Sequence, residues 1–164
     1  MKLGPVPLMG ALLLFGCGAA TSEVSGEISA AASSCSGSID GEQLSGPEGA
    51  VRVISRAVDP EDEASRYVLV IYCRLSDPDA EPARIDFVKR DAPPEGTLEP
   101  GSYQIDTEGD QPRSIGVVVT APEYLDGNRN WEPVTGTLEI LEWTPGGPRA
   151  TFEMELRARG ARTY

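Results

Sequence analysis

From Cys35 onward the chain is a series of short apolar-alternating runs, each closed by a cluster of Gly, Pro, Asp or Asn. The strongest run is "RYVLVIYCRL" (residues 66–75). Its Tyr67, Leu69, Ile71, Cys73 and Leu75 share one side, and Val68, Val70 and Tyr72 the other. Apolar on both faces, it predicts a central strand covered on both sides. "AVRVISRAV" (50–58) starts with Val51 and Val53 on one face, and "ARIDFVKR" (83–90) sets Ile85 and Phe87 against Asp86. "GSYQIDT" and "RSIGVVVT" flank "EGDQP", whose Gly109-Asp110 core predicts a hairpin turn. "VTGTLEILEW" (134–143) and "RATFEMELRA" (149–158) flank "TPGGP", a second turn signal. In the last run Phe152, Met154 and Leu156 face in, with Glu153, Glu155 and Arg157 outward.

No window holds a 3.6-residue period over ten positions, and the 14 prolines interrupt most candidates. Strands at this spacing predict an all-β fold, an antiparallel sandwich or small barrel of about 7–9 strands. Residues 18–34, "GAATSEVSGEISAAASS", carry few large apolar groups. They predict a flexible tether, because little buried surface is available to offset the entropy of ordering them.

The first residues follow another pattern. Lys2 precedes an apolar run, residues 3–15, too short to cross a bilayer as a helix and suited to an export signal. The run ends in Leu14-Phe15-Gly16-Cys17, which resembles the lipobox of bacterial lipoproteins. Leu14 and the small Gly16 carry the likeness; Phe15 is larger than is usual at its position. The resemblance implies cleavage before Cys17, acylation of that cysteine, and an outer-membrane address, since Gly18 is not the aspartate of many inner-membrane-retained members. It divides the chain into a signal peptide (1–16), a lipidated cysteine with its tether (17–34) and one β domain (35–164).

Composition prunes the chemistry. The 164 residues hold 26 acids against 14 Lys and Arg, a formal charge of −12. Such a balance argues against nucleic acid, which is held through its phosphates by Lys and Arg, and against anionic headgroups. The acids are spread along the whole sequence, so the first expectation is a solvated surface. With the lipobox claiming Cys17, the remaining Cys35 and Cys73 form an even pair in an exported chain and predict a disulfide. The chain has no histidine. That removes Ser-His-Asp and Cys-His nucleophiles and every His-ligated metal centre.

Oxygen ligands concentrate in "DPEDE" (59–63), "DPDAE" (77–81), "DTEGD" (106–110) and "DGNRN" (126–130). None fits the EF-hand spacing, and turn chemistry alone explains Asp, Asn, Gly and Pro in such places. The best calcium candidate is the set Asp59, Glu61, Asp62 and Glu63, whose mutual repulsion a cation relieves. Trp131, Trp143 and Tyr124 lie near loops, where they either stack on sugars or complete the core. Glu139 and Glu142, in "LEILEW", are the acids with the most apolar neighbours in sequence. The resulting expectation is a non-enzymatic envelope protein, held to the membrane by its lipid and presenting a surface to an envelope protein or glycan. The alternatives are a calcium-dependent carbohydrate- or polysaccharide-binding module and, less favoured, a carboxylate-based hydrolase.

Overall fold

A computed structural model of the chain describes residues 21–46, 49–61, 66–75, 83–120 and 131–158. The described residues contain ten strands and no helix: β1 (Thr21–Ser29), β2 (Ser34–Ile39), β3 (Glu42–Ser45), β4 (Val51–Ala57), β5 (Tyr67–Leu75), β6 (Ala83–Ala92), β7 (Gly101–Asp106), β8 (Ser114–Thr120), β9 (Trp131–Thr144) and β10 (Gly147–Ala158). They form one sheet in the order β3-β2-β1-β10-β9-β7-β8-β6-β5-β4, curled into a half-barrel. The curl brings β2 over β5, where the predicted Cys35–Cys73 disulfide joins them with Cα atoms 5.8 Å apart.

Backbone hydrogen bonds run along this seam. Ala50 N–H donates to Ser33 O at 3.1 Å, Gly46 N–H to Cys35 O at 2.6 Å and Arg74 N–H to Ala50 O at 3.0 Å. Gly46 is squeezed in the crossing: a Cβ there would sit 2.3 Å from Arg74 O and 2.4 Å from the Ala50 Cβ. Inside the curl the alternation works as read. Leu69, Ile71, Leu75, Ile85, Phe87, Ile115 and Leu138 are fully buried. Phe87 and Phe152 meet across the interior with ring centroids 5.1 Å apart. Trp131 and Trp143 pack, half-buried, against the same core.

Three expectations need correction. Residues 17–34 are not a tether throughout, because β1 lies inside the sheet, paired with β2 on one side and β10 on the other. Val24 and Ile28 are its only large inward residues, each 1 % exposed. Two ladders and two well-packed side chains order a segment whose composition is otherwise small and polar. Together with the four-residue β3, it takes the strand count to ten.

The second correction concerns "EGDQP", which does not close a hairpin. β7 and β8 pair in parallel, Gln104 with Ser114 through Asp106 with Gly116, so the chain between them must loop back. The Asp106 carboxylate shapes that loop by accepting the Glu108 and Gly109 N–H groups at 2.9 and 2.5 Å. Gly109 then takes φ +67° and its carbonyl accepts the Arg90 N–H at 2.8 Å. Lys89, only 4 % exposed, donates its ammonium to Gly109 O at 3.1 Å and Gln111 O at 2.5 Å. Gly-Asp signals that the chain turns but does not specify which strand it returns to. The "TPGGP" hairpin forms as expected, with Thr144 opposite Gly147 and a bulge at Leu141.

The third correction concerns β5, which is next to the end of the sheet rather than central. Its inward side is buried, whereas Val68, Val70 and Tyr72 are half-exposed on the outer side, with no second layer over them among the described residues.

Candidate interaction surface

That outer side of β5 is the middle of a three-strand face. Strand register sets the layout: Arg52 lies opposite Tyr72, Ile54 opposite Val70 and Arg56 opposite Val68. On the other flank Asp86 stands opposite Tyr72, Val88 opposite Val70, Arg90 opposite Val68 and Arg84 opposite Arg74. Ile54, Val70 and Val88 therefore make an aliphatic stripe across β4, β5 and β6. Val118 continues it on β8, 56 % exposed and diagonal to Val88 across the register. The face holds a shallow hollow of about 690 Å³.

Five arginines ring this stripe: Arg52, Arg56, Arg74, Arg84 and Arg90. All five are exposed; Asp86 is the one acid on the same strand positions, and Asp91, Glu108 and Asp110 line the hollow with it. Arg84 is held: its Nε donates to Asp86 Oδ1 at 2.6 Å, and its guanidinium lies 4.5 Å from the Tyr72 ring centroid. The Asp86 hydrogen bond and charge raise its pKa against the opposing effect of burial. Arg52, Arg56, Arg74 and Arg90 have no ion-pair partner among the described residues. Arg74 and Arg84 stand directly opposite each other across the ladder, with the Asp86 carboxylate compensating the Arg84 charge.

The opposite end of the sheet has the reverse character. Its outer face carries Glu23 and Glu27 from β1, Glu139 from β9, and Glu153 and Glu155 from β10. Ser25, Ser38, Thr137 and Thr151 lie between them around a shallow hollow of about 670 Å³. The arginines nearby are engaged, Arg149 with Glu142 at 2.6 Å and Arg157 with Glu132 at 3.0 Å. The outer side of the sheet thus has an arginine-rich aliphatic face, whose hollow also holds Asp86, Asp91, Glu108 and Asp110, and a carboxylate-hydroxyl face at its other end.

The other candidates fare unequally. Asp59 Oδ1 accepts the Glu61 N–H at 3.1 Å, a turn-forming bond of the kind Asp makes for backbone reasons. Asp62 and Glu63 lie outside the described residues, as do Cys17, Tyr124, "DPDAE" and "DGNRN". Among the described residues no three acids or cysteines are grouped to hold a metal ion. In "DTEGD" the Asp106 carboxylate is already committed to its loop. Burial works to raise its pKa, but the Gly109 amide, the Ser114 hydroxyl, the Glu108 amide and the Lys89 charge outweigh it and hold the pKa low.

Sequence reading missed the arginine face because it takes strand register, not strand identity, to bring Arg52, Arg74, Arg84 and Arg90 together. The available signal is the apolar second side of "RYVLVIYCRL", which by itself reads as a mark of burial. No known protein family, curated protein or solved structure matches the chain.

Proposed function

We propose that the chain is a lipid-anchored protein of the bacterial outer membrane, non-enzymatic, whose β domain works by binding a partner through the outer face of β4, β5 and β6. The observation that carries the binding role is the ring of arginines, four of them without an ion-pair partner among the described residues, around the half-exposed Ile54-Val70-Val88 stripe. Arginine is enriched at protein interaction hot spots, and the apolar floor beside it supplies surface that a partner can bury. The lipobox-like Leu14-Phe15-Gly16-Cys17 supports the address. With β1 starting at Thr21, residues 18–20 span at most about 14 Å from an acylated Cys17, so the domain rests against the bilayer.

Two measurements test this reading. Palmitate labelling in cells should mark the wild type and not Cys17→Ser; an unlabelled wild type removes the anchor. A photo-crosslinking residue replacing Val70 should give a discrete adduct in intact envelopes, while one replacing Glu153 on the opposite face should not. No adduct from position 70, or equal adducts from both, removes the surface.

A further inference from the structure

Taking that face as the binding surface, we propose that its partner is a second copy of this chain, docked face to face about a twofold axis along the Ile54-Val70-Val88 stripe. These three residues share one level of the strand register. A twofold axis along that level sets each strand over its own image with the direction reversed. Val70 then meets Val70, and each residue beyond the stripe meets the one as far on its other side.

The outward residues of β6 are arranged for that operation. In chain order they are Arg84, Asp86, Val88, Arg90 and Asp91. Alternation alone would turn Asp91 inward. A β-bulge prevents this: Tyr67 pairs with Ala92 but Val68 with Arg90, and Asp91 between them takes φ +54°. Arg90 and Asp91 therefore both line the outer hollow. The resulting order, plus, minus, apolar, plus, minus, is antisymmetric about Val88. Under the twofold, Asp86 of one copy faces Arg90 of the other, and Arg84 faces Asp91, each contact made twice.

The groups concerned retain bonding capacity within one chain. Arg84 engages Oδ1 of Asp86, and a carboxylate accepts at both oxygens. Arg90 has no ion pair among the described residues. The Asp91 side chain is 41 % exposed, 3.4 Å from Arg66.

The apolar row is thus also the line about which the charges invert, and that coincidence selects a second copy. A ligand of one charge meets both signs in this hollow, Asp86, Asp91, Glu108 and Asp110 among the arginines. Copies of a chain carrying −12 repel over most of their surface, whereas on this face the arginines offset the acids. Groups without a match fall toward the rim. Arg52 comes over Arg56, Arg74 over Arg66, and the loop of Glu108 and Asp110 over Val118; all are exposed and stay hydrated.

Three strands by seven residues make a face about 14 Å by 23 Å, well below the roughly 800 Å² per side of a stable globular interface. The dimer is accordingly weak and reversible, and it forms where copies are concentrated, as on one membrane leaflet.

The test co-expresses two differently tagged copies in intact envelopes, with the photo-crosslinking residue at position 70. The adduct should carry both tags. Asp86→Arg in both copies should lower its yield by about tenfold, and so should Arg90→Asp in both, because each change sets like charges together twice. Asp86→Arg in one copy with Arg90→Asp in the other should restore it, since both contacts are then complementary again. That rescue also shows that each variant folds.

Loss without rescue refutes the twofold pairing, as does a two-tag adduct that neither reversal weakens. If Glu153→Arg/Glu155→Arg abolishes the two-tag adduct, the contact is head to tail, onto the far face whose hollows include Leu141 and Phe152, and the proposal fails. An adduct that carries one tag and a foreign mass leaves the surface standing and refutes the second copy. No adduct at all removes the surface itself.

Discussion

Reducing the Cys35–Cys73 bridge should cost this fold about 4 kcal/mol. The two cysteines are 38 positions apart, and a loop of that length, released in the unfolded chain, restores about 13 cal/mol/K of conformational entropy. Native-state losses are small. Both sulfurs stay buried after reduction, at 2 % and 0 % residue exposure, so no cavity opens, and the seam bonds from Ala50 N–H to Ser33 O and Arg74 N–H to Ala50 O remain. Against a typical total of about 5–15 kcal/mol, the loss is a large fraction of the stability. For a domain of this size it lowers Tm by roughly 10–15 °C.

Urea titration with and without reductant, followed by the fluorescence of Trp131 and Trp143, reads the effect directly. The midpoint should fall and the m-value should rise, because the unlinked unfolded chain exposes more surface. The Cys35→Ala/Cys73→Ala pair should lose about 1–2 kcal/mol more, since it also removes two buried sulfurs. A loss below about 1 kcal/mol on reduction, with an unchanged m-value, would refute the entropic account. It would mean that β2 and β5 stay together in the unfolded chain without the bond.

Other substitutions probe the fold and its loops. Gly109→Ala should destabilise by about 2–4 kcal/mol, because φ is +67° and the new Cβ meets Gly116 N and Val88 O, both backbone, at 2.3 Å. Gly49→Ala, at φ +80° in open space, should cost only about 1 kcal/mol in the same denaturation assay. Leu138→Ala, at a site with no exposure, should cost about 2–5 kcal/mol by the same measurement. Asp106→Asn should destabilise at neutral pH, with a gap to wild type that closes in acid. The folded carboxyl titrates below its ordinary 3.8, so its stabilisation is complete above that value and disappears as pH falls through the folded pKa. Lys89 runs oppositely at alkaline pH. Burial lowers its pKa from 10.5, with Asp91, Asp106 and Asp110 opposing, so its contribution to stability should improve between the lowered value and 10.5, and Lys89→Met should remove that rise.

Much of the architecture was legible because period-two alternation survives in single strands. Phe152, Met154 and Leu156 announced the inward side of β10, and Thr144 with the glycines after it announced the last hairpin. β1 was hidden because two apolar residues among serines and glutamates look like a solvated linker until the partners on both sides are known. The parallel β7–β8 pair was hidden for a related reason: the Asp106 turn is local and does not say which strand the chain returns to, while the Lys89 contacts with Gly109 and Gln111 are long-range and no local pattern encodes them. The arginine face lay furthest from view. Arg52, Arg74, Arg84 and Arg90 each look like ordinary outward strand residues, and only register places them together. The Cys35–Cys73 pair was the strongest long-range signal in the sequence, because a disulfide constrains two positions across any separation.

The pairing of β1 with β10 also bears on how the protein is made. β1 pairs with the nearby β2 on one side, but its second hydrogen-bonding partner, β10, lies at residues 147–158, so the sheet closes only after β10 has been synthesised. Such a long-range contact slows folding by the loop-closure entropy it must overcome. Truncation before residue 147 would leave the β1 edge open, a template for pairing with other chains.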